Sequence, residues 1–367
     1  MLRADGLLVI LIIASAACGL DPAPATAGRA AGSATVTGDP VQTLVQDAAI
    51  FDSVRRIIGG AGRRLDVEMY EFGRTDLADL LGAARARGVP VRVVLDPTVA
   101  QDRPVAARLT AAGVSVRWYP VDDHRRQIDH VKLLIDDRTA LVGGMNWGGH
   151  SAANHDYAVE DGDQADLRRL SAIFGQDWSL AGGWPAPLNE MHGPIAQTAP
   201  GREIRQRLES AIAASKTSIS AEVFALTDPD IISGLAAAQR RGVRVRVLLD
   251  PGEDVNHASF TLLMRAGVAV AWFPVARGAK LHAKIGAFDD LLVLGSANWS
   301  RHGLGVNHEL DLATARHEAV AAYKARFEKD WEVALRVAGA TRWPGASTGS
   351  SSASSCACAC ASSCAAS

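Results

Sequence analysis

Two short stretches of the sequence carry the same set of chemically active side chains at the same spacing. The shared pattern is H-x-K-x4-D-x5-G-x-x-N. Its polar residues are His130, Lys132, Asp137 and Asn146 in the first stretch, and His282, Lys284, Asp289 and Asn298 in the second. A histidine acts as a nucleophile or as a general acid or base, and the lysine supplies a compact positive charge. Only six of the 38 Lys and Arg residues are Lys, yet both of these positions hold one.

The spacing of histidine and lysine predicts how the two side chains are presented. Residues two apart on a β-strand face the same side of a sheet, because side chains alternate along the strand. We therefore predict motif strands at 130–136 and 282–288, with hairpin partners at 139–143 and 291–295. A single H-x-K could equally be an edge strand that shows two polar residues to solvent. The second copy favours a shared chemical site.

The repeat extends well beyond the two motifs. Residues 65–70 (LDVEMY) match 219–224 (ISAEVF), and 87–97 match 241–251, both at an offset of 154. The offset falls to 152 at the motif histidines, because the preceding loop is two residues shorter in the second half. The chain is therefore a duplicated pair of halves, since a solenoid needs three or more repeats.

Each half is predicted to alternate strands with helices. The first-half strands are 65–72, 89–95 and 114–119, and its helices are 75–87 and 102–112; the second-half strands are 218–224, 243–249 and 268–273, and its helices are 229–241 and 257–266. Gly88 and Gly113 stand where helix C-caps are expected. This alternation predicts an α/β fold with mainly parallel strands, to which the motif hairpins add an antiparallel part. We predict half 1 at 41–192 and half 2 at 193–340, joined by a Gly/Pro-rich linker.

The duplicated motif resembles the signature of the phospholipase D superfamily, and the resemblance extends from about residue 45 to 335. It implies two α/β/α sandwich halves with mixed sheets, related by a pseudo-two-fold axis, with one active site at their interface. It also implies phosphodiester chemistry in which one histidine becomes a phosphohistidine and the other protonates the leaving oxygen. The resemblance favours His130 as the nucleophile. The two Lys and the two Asn would hold the non-bridging oxygens.

Further residues receive roles from the resemblance. Asp156 and Glu309 would hydrogen-bond the catalytic imidazoles, with the neighbouring His155 and His308 structural. Asp137 and Asp289 would support the site from the turns that end the motif strands. The side chains predicted as possible substrate contacts are Glu68, Glu222, Ser296, Trp147 and Trp299. For the two tryptophans, packing in the core at the rim of the site is favoured over substrate contact. Gly144 departs from the serine that the family often has at this position, which Ser296 keeps.

No metal or cofactor is expected at this site. An ammonium group beside each histidine would repel a divalent cation, which argues against the alternative of a metal held by His130, His282 and nearby carboxylates. A non-catalytic binding module would tolerate loss of one motif His or Lys, yet both copies are complete. A monomer carries both copies and is sufficient for a complete site.

The two ends of the chain have compositions of their own. Residues 1–17 have a short charged start and an apolar run, which predicts a signal peptide and export. Either Cys18 becomes a lipidated N-terminus that anchors the protein to a membrane, or cleavage near Ala27 releases it. Residues 18–40 are predicted to be a flexible tether. Residues 341–367, rich in Ser, Ala and Cys, are predicted to be disordered.

The substrate is the least determined property. The formal net charge is −2, which gives no global basic field of the kind that nucleic-acid-binding proteins show. With the export signal, this favours a phospholipid substrate and peripheral membrane contact. We predict hydrolysis of glycerophospholipid to phosphatidic acid and a free headgroup. A secreted metal-independent nuclease and a cardiolipin synthase-like phosphatidyltransferase are the alternatives, and Arg125 and Arg126 before the first motif would suit a nucleic-acid backbone equally well.

Overall fold

The computed structural model describes residues 42–184, 193–198 and 201–340, and all of them belong to one compact unit. The predicted signal peptide (1–17), tether (18–40) and Ser/Ala/Cys tail (341–367) lie outside the described residues and stay predictions. The linker around 185–192 is also outside them, so the boundary between the halves stays a prediction. None of the described helices is long and apolar enough to cross a membrane.

The first half contains seven strands and four helices within its described residues. In chain order they are β1 (Gln42–Gln46), α1 (Ala49–Gly60), β2 (Leu65–Met69), α2 (Thr75–Ala86), β3 (Val91–Leu95), α3 (Asp102–Ala111), β4 (Ser115–Trp118), β5 (Lys132–Ile135), β6 (Ala140–Gly143), β7 (Tyr157–Asp161) and α4 (Gln164–Leu180). In α1 the residues Ile50, Val54, Ile57 and Ile58 are buried. That spacing places them on one helical face, which packs on the sheet.

The second half repeats the same series within its described residues. It consists of β8 (Ile195–Gln197), α5 (Glu203–Ala214), β9 (Ser218–Val223), α6 (Pro229–Arg240), β10 (Arg244–Leu249), α7 (Asn256–Arg265), β11 (Ala269–Trp272), β12 (Lys284–Phe288), β13 (Leu291–Gly295), β14 (Leu310–Thr314) and α8 (His317–Ala340). Helix α6 begins sharply because the Asp228 carboxylate accepts from the backbone N–H groups of Asp230 and Ile231, and Pro229 occupies the first turn.

The strands form two mixed seven-stranded sheets of identical topology. The first has the order β1-β7-β6-β5-β2-β3-β4, and the second has the equivalent order β8-β14-β13-β12-β9-β10-β11. Strands β2, β3 and β4 are parallel, and β5 joins them antiparallel to β2. In the second sheet β9, β10 and β11 are parallel and β12 is antiparallel to β9. The predicted duplication and the α/β class with mixed sheets are confirmed.

Three apolar cores hold the molecule together. One lies between the first sheet and α1, α2 and α3, and includes Leu81 and Leu109. Another lies between the second sheet and α5, α6 and α7. The central core takes residues from both halves, among them Leu133 of β5, Phe174 of α4 and Phe327 of α8. The two halves therefore share buried apolar surface, which holds their facing loops in fixed positions.

The predicted elements agree with the structure to within about two residues at most boundaries, and Gly88 and Gly113 adopt positive φ angles of 93° and 78°. The motif strands differ. They begin at Lys132 and Lys284, so each histidine precedes its strand. The reason is that the backbone beside each histidine pairs with the opposite half. The N–H of His130 donates to the carbonyl of His308 at 2.8 Å, and that of His282 to the carbonyl of His155 at 2.8 Å.

Candidate active site

The two motif histidines lie where the halves cross. Residue 129 forms a parallel bridge with His308, and His155 forms one with residue 281. These bridges fix the backbone on either side of both imidazoles. His130 and His282 are both buried, with 5% and 7% of their surface exposed. The duplication thus supplies one histidine from each half, and backbone pairing between the halves holds them.

Each imidazole is oriented by a carboxylate from the other half. The Nδ1 of His130 lies 2.8 Å from Oε2 of Glu309, and Nδ1 of His282 lies 2.8 Å from Oδ2 of Asp156. A hydrogen bond at Nδ1 directs the other ring nitrogen, Nε2, toward a substrate. Asp156 and Glu309 are therefore placed as the resemblance implied, but each serves the histidine of the opposite half.

The motif lysines lie beside their histidines. The ammonium groups of Lys132 and Lys284 donate to the carbonyls of His130 and His282, respectively. Lys284 Nζ is also 3.0 Å from Nδ1 and 3.1 Å from Nε2 of His282. Both lysines are almost completely buried, with 4% and 2% of their surface exposed. Two cations at this depth make the site attractive to an anion such as a phosphodiester.

Two aromatic rings form matching walls of the site. The Tyr70 ring lies 4.8 Å from the His130 ring and 5.0 Å from Lys132 Nζ. The Phe224 ring lies 4.9 Å from the His282 ring and 5.1 Å from Lys284 Nζ. Each ring face contacts a cation and shields the imidazole from water. Sequence reasoning aligned these two positions in the repeat but gave them no role.

Burial dominates the protonation of the site. Burial, and then the ammonium groups of Lys132 and Lys284, lower the pKa of His130 well below 6.5. Burial and then Lys284 lower the pKa of His282 to about 3, although Asp156 opposes this. Burial also lowers the pKa of Lys132 to about 7 and that of Lys284 to about 8. In the free protein both imidazoles are therefore neutral, and the lysines carry their charge only up to about neutral pH.

The two motif asparagines have different surroundings. Asn146 Nδ2 donates to Oε2 of Glu71 at 3.1 Å, whereas no hydrogen-bond partner of its Oδ1 lies among the described residues. The position equivalent to Glu71 in the second half is Ala225. The sequence analysis did not identify Glu71. The available signal was the difference between Glu71 and Ala225 directly after the aligned residues Tyr70 and Phe224. Glu71 thus adds to the first-half side of the site a carboxylate that the second half lacks.

In each half, the residue that follows the motif glycine is matched to the carboxylate that it faces: Gly144 faces Asp156, and Ser296 faces Glu309. A Cβ at Gly144 would stand 2.4 Å from Oδ1 of Asp156, which is closer than two non-bonded atoms can approach. The position of the Asp156 carboxylate therefore requires glycine at residue 144. Ser296 Oγ instead donates to Oε2 of Glu309 at 2.6 Å. The possible substrate contact of Ser296 stays a prediction. Its fully buried hydroxyl positions the carboxylate that orients His130.

The motif aspartates lie far from the imidazoles. Seven residues separate His282 from Asp289, a span of about 23 Å in extended chain. Asp289 accepts from the backbone N–H groups of residues 216, 217 and 218 and so anchors the start of β9. In the first half Asp136, not Asp137, accepts from the turn N–H groups of residues 138 and 139. The prediction that Asp137 and Asp289 support the site is wrong, and the turn role holds for Asp289.

Glu68 and Glu222 are fully buried and do not line the site, so the prediction of substrate contact is wrong. Each faces a histidine of the other half. His308 Nε2 lies 3.5 Å from Glu68 Oε1 and 3.1 Å from Asp177 Oδ2. His155 Nε2 lies 3.2 Å from Glu222 Oε2. These two ion-pair groups hold the halves together directly behind the site.

The same two groups are the places among the described residues where side chains could ligate a metal. Their members are Glu68, Asp177 and His308 in one group, and His155, Glu222 and Asp330 in the other. The second group contains its own cation, because Arg326 Nε donates to Asp330 Oδ2 at 2.6 Å. At the motif histidines themselves the Nδ1 atoms are taken by carboxylates and ammonium groups lie alongside, so that position suits an anion.

The two tryptophans after the motif asparagines belong to the core. Trp147 is 2% exposed and meets the Phe72 ring edge-on at 5.0 Å. Trp299 is 1% exposed and stacks near Phe288 at 6.2 Å. Packing in the core, the use favoured for Trp147 and Trp299, is confirmed, and the possible substrate contact is wrong.

Comparison with known proteins gives one family for both halves. The family described as "Cardiolipin synthase, PLD-like domain" matches residues 54–178 and again 208–331. Cardiolipin synthase A of Klebsiella pneumoniae (strain 342) is 26% identical over 368 residues, which cover 86% of this chain and 74% of that protein. Cardiolipin synthase B of Escherichia coli (strain K12) is 26% identical over 325 residues, covering 75% of this chain and 76% of that protein.

Solved structures share the fold at low sequence identity. The phosphatidylserine synthase of Haemophilus influenzae superposes with a TM-score of 0.64 at 11% identity, over 80% of this chain and 86% of that one. The polyphosphate kinase of Porphyromonas gingivalis superposes with a TM-score of 0.60 at 13% identity, over 79% of this chain and 50% of that one. The family match covers more than half of the sequence in two copies, and the chain therefore belongs to the phospholipase D superfamily of enzymes, in the family of cardiolipin synthase PLD-like domains.

Proposed function

We propose that this protein is a phosphatidyltransferase, which moves the phosphatidyl group of one glycerophospholipid to the headgroup hydroxyl of a second. The observation that carries the proposal is the pair of buried His–Lys sets in one site, each imidazole oriented by a carboxylate of the other half. Two imidazoles, one as nucleophile and one as proton donor and acceptor, together with two ammonium groups suit the double displacement of a phosphodiester. Relatives named cardiolipin synthase support a lipid substrate.

The sequence analysis favoured hydrolysis and gave transfer as an alternative. The same relatives support transfer instead. The two reactions share their first step and differ only in whether water or an alcohol arrives second. The pronounced burial of both histidines supports transfer, because a site that excludes water favours an acceptor delivered on a lipid. Hydrolysis to phosphatidic acid is therefore the competing outcome of the same site.

The first step forms a covalent intermediate. Nε2 of one imidazole attacks phosphorus and the bond from phosphorus to the headgroup oxygen breaks. The second imidazole, which takes up a proton when the anionic phosphodiester binds beside it, gives its Nε2 proton to that oxygen. Lys132 and Lys284 bind the non-bridging oxygens as charge builds on them. In the second step the acceptor hydroxyl gives its proton to the second imidazole and attacks phosphorus, and the bond between phosphorus and nitrogen breaks.

We assign the nucleophile to His130 and the proton donor to His282. Burial and Lys284 lower the pKa of His282, and the carboxylate of Asp156 opposes them. A phosphodiester anion bound beside the ring adds to the effect of Asp156, so His282 is the ring that takes up the proton. The partner of His130 is Glu309, whose pKa burial raises to about 7. A carboxyl that is partly neutral stabilises an imidazolium less well, so His130 remains the neutral, nucleophilic ring.

The proposal predicts the products formed from phosphatidylglycerol vesicles in EDTA. We expect a diphosphatidyl lipid and free glycerol in equal amounts, measured by mass spectrometry and by enzymatic glycerol assay. The double variant His130→Ala/His282→Ala, purified in parallel, is the control for contaminating enzymes. Phosphatidic acid as the sole lipid product would replace transfer by hydrolysis. Degradation of single-stranded or plasmid DNA with untouched vesicles would replace both by a nuclease.

The lysine pKa values predict an alkaline loss of activity. Because the ammonium forms of Lys132 and Lys284 bind the phosphodiester, kcat/KM should fall as pH rises through about 7 to 8. A bound anion stabilises the ammonium forms, so the corresponding fall in kcat should lie at higher pH. Both profiles are measured from pH 5.5 to 9.5. A kcat/KM that stays constant up to pH 9 would contradict the assigned role of the lysines.

The variant Lys132→Arg provides the matched control for this pH profile. Its guanidinium cannot lose its proton in this range, so any activity that it retains should have its alkaline fall moved toward the pKa of Lys284. If the variant is active and its kcat/KM falls over the same pH range as in the wild type, the alkaline loss of activity is caused by a group other than Lys132.

A further inference from the structure

An open apolar groove lies between helices α6 and α7 of the second half. The cavity has a volume of about 400 Å³, within the range of small-molecule sites. Its described lining contains no charged side chain. The apolar side chains that we call the groove residues are Pro229, Ile232, Ala236, Val255, Ala258 and Leu262. Val255 and Leu262 are each 53% exposed, and the neighbouring Met264 is 56% exposed.

The first half supplies an internal comparison, because its equivalent surface is closed and charged. Leu262 and Ser233 correspond by the offset of 154 to Arg108 and Asp79. In the first half Arg108 Nη2 donates to Asp79 Oδ2 at 2.8 Å and bridges α3 to α2. Both halves have the same fold, so the fold alone does not produce the groove. The groove results from the side chains that are present only in the second half.

A glycine explains how the first half closes this surface. Gly82 of α2 lies so near Ala112 that a Cβ on it would stand 2.9 Å from the Cβ of Ala112. The equivalent of Gly82 in the second half is Ala236, one of the groove residues. Its methyl group is incompatible with the same close approach, so α6 and α7 leave a space between them.

The mouth of the groove is tied to the catalytic residues of the same half. Asn256, which begins α7 next to Val255, donates from Nδ2 to the carbonyl of Phe224 at 2.7 Å. The Phe224 ring is the one that lies 4.9 Å from His282. On the α6 side, the N–H of Thr227 donates to the carbonyl of Trp299 at 2.9 Å, next to Asn298. The groove therefore starts at the rim of the site and runs away from it along both helices, over about 10 Å between Val255 and Leu262.

We propose that this groove binds one acyl chain of the glycerophospholipid whose phosphodiester lies between the two histidines. The inference rests on the proposed function and adds to it a site for the lipid tail. An uncharged, open groove whose mouth is hydrogen-bonded to the backbone of Phe224 and Trp299 suits a hydrocarbon chain, whose burial releases water from apolar surface. The equivalent surface of the first half is crossed by the Arg108–Asp79 ion pair, so the lipid donor is oriented with one acyl chain toward the second half.

The test transplants the first-half surface into the second half. The variant Ser233→Asp/Leu262→Arg places the equivalents of Asp79 and Arg108 across the groove and changes no residue assigned to the chemistry. Wild type and variant are assayed on dioleoyl phosphatidylglycerol in mixed micelles and on dibutyryl phosphatidylglycerol, which has the same headgroup. We expect kcat/KM on the long-chain lipid to fall about tenfold or more, with that on the short-chain lipid unchanged.

The control variant is Leu335→Arg. Leu335 is 50% exposed on α8, so the substitution makes a comparable change of exposed leucine to arginine away from the groove. It should leave both activities at the wild-type value. Equal losses on the two lipids in the groove variant, or no loss on either, would overturn the acyl-chain proposal while leaving the transfer activity itself in place.

Photolabelling separates this inference from the proposed function. Phosphatidylglycerol that carries a diazirine near the end of one acyl chain should label peptides from α6 and α7 in the wild type and not in the groove variant. If the wild type turns over neither lipid yet shows this label, the proposed function fails and the groove assignment stands. Labelling of other peptides in the wild type would overturn the assignment. Analytical sedimentation tests a different occupant: if the wild type is a dimer and the groove variant is a monomer, the groove binds a second copy of the chain and not an acyl chain.

Discussion

His130→Ala and His282→Ala are each expected to lower kcat by about 1,000-fold or more, because each imidazole has a role that no other side chain can take. Each ring is oriented by a carboxylate of the opposite half at 2.8 Å, so neither half has a complete histidine–carboxylate pair of its own. The measurement is turnover on phosphatidylglycerol, with circular dichroism to show that the fold is intact. His150→Ala is the matched control, since His150 is exposed and makes no contact with either motif histidine in the described structure.

The two variants should differ in what they accumulate. With an activated aryl leaving group that needs no protonation, His282→Ala should still form the intermediate but transfer it slowly, so phosphate label should collect on His130. Rapid quenching and peptide mapping under alkaline conditions locate that label. Label on His282 in the converse variant His130→Ala, with none on His130 in the first, would reverse the assigned roles. Activity above a few per cent of wild type in either variant would contradict the two-histidine mechanism.

His308→Phe is expected to destabilise the fold by about 3–5 kcal/mol, because it removes a cation from a buried group of carboxylates. Burial opposes protonation of His308, but Asp177 and Glu68 raise its pKa well above 6.5. Without the histidine, the carboxylates of Glu68 and Asp177 lose the ring nitrogen that lies 3.5 and 3.1 Å from them. Urea unfolding followed by tryptophan fluorescence at pH 6 measures the loss.

His155→Phe is the internal control for this prediction. The equivalent group around His155 keeps Arg326, which donates to Asp330 at 2.6 Å, so the loss at pH 6 should be smaller than for His308→Phe. Losses of equal size, or a loss below about 1 kcal/mol for His308→Phe, would contradict the buried-cation explanation. Burial and Asp177 raise the pKa of Glu68 to about 7. Glu68→Gln in the His308→Phe background should recover part of the stability, because it replaces a buried carboxyl that has lost its partner with a neutral amide.

The pH dependence of the His155 contribution has a definite sign. Although burial opposes protonation, Asp47 and Glu222 raise the pKa of His155 to about 10 in the folded protein, above the value of about 6.5 in an unfolded chain. Its stabilisation is therefore fully present below about pH 6.5 and is lost as pH rises through about 10. The difference in unfolding free energy between wild type and His155→Phe should shrink over that range.

The amino-acid sequence determined the chemistry and the order of the elements. The repeated motif identified His130, Lys132, His282 and Lys284, because the chemistry of a side chain and its local spacing need no knowledge of packing. The strands and helices between residues 65 and 143 and between residues 218 and 295 were also predictable, since their apolar periodicity and their glycine ends are local signals. Strands β1, β7, β8 and β14 and helices α1, α4, α5 and α8 were not among the predictions. The three residues of β8 show why, because so short an edge strand has no periodicity to detect and forms only by pairing with β14.

Only the tertiary structure decided which groups meet. The sequence placed Asp156 and Glu309 after their own motifs, yet each contacts the histidine of the other half, because the halves cross at the backbone pairs of residues 129 and 281. Glu68, Glu222, Trp147 and Trp299 looked available for substrate and are buried, since burial depends on what packs against a strand and not on the strand itself. The groove between α6 and α7 likewise arises from the distance between two helices. Contacts between residues more than 100 positions apart follow from the shared central core, whose packing the local sequence pattern does not encode.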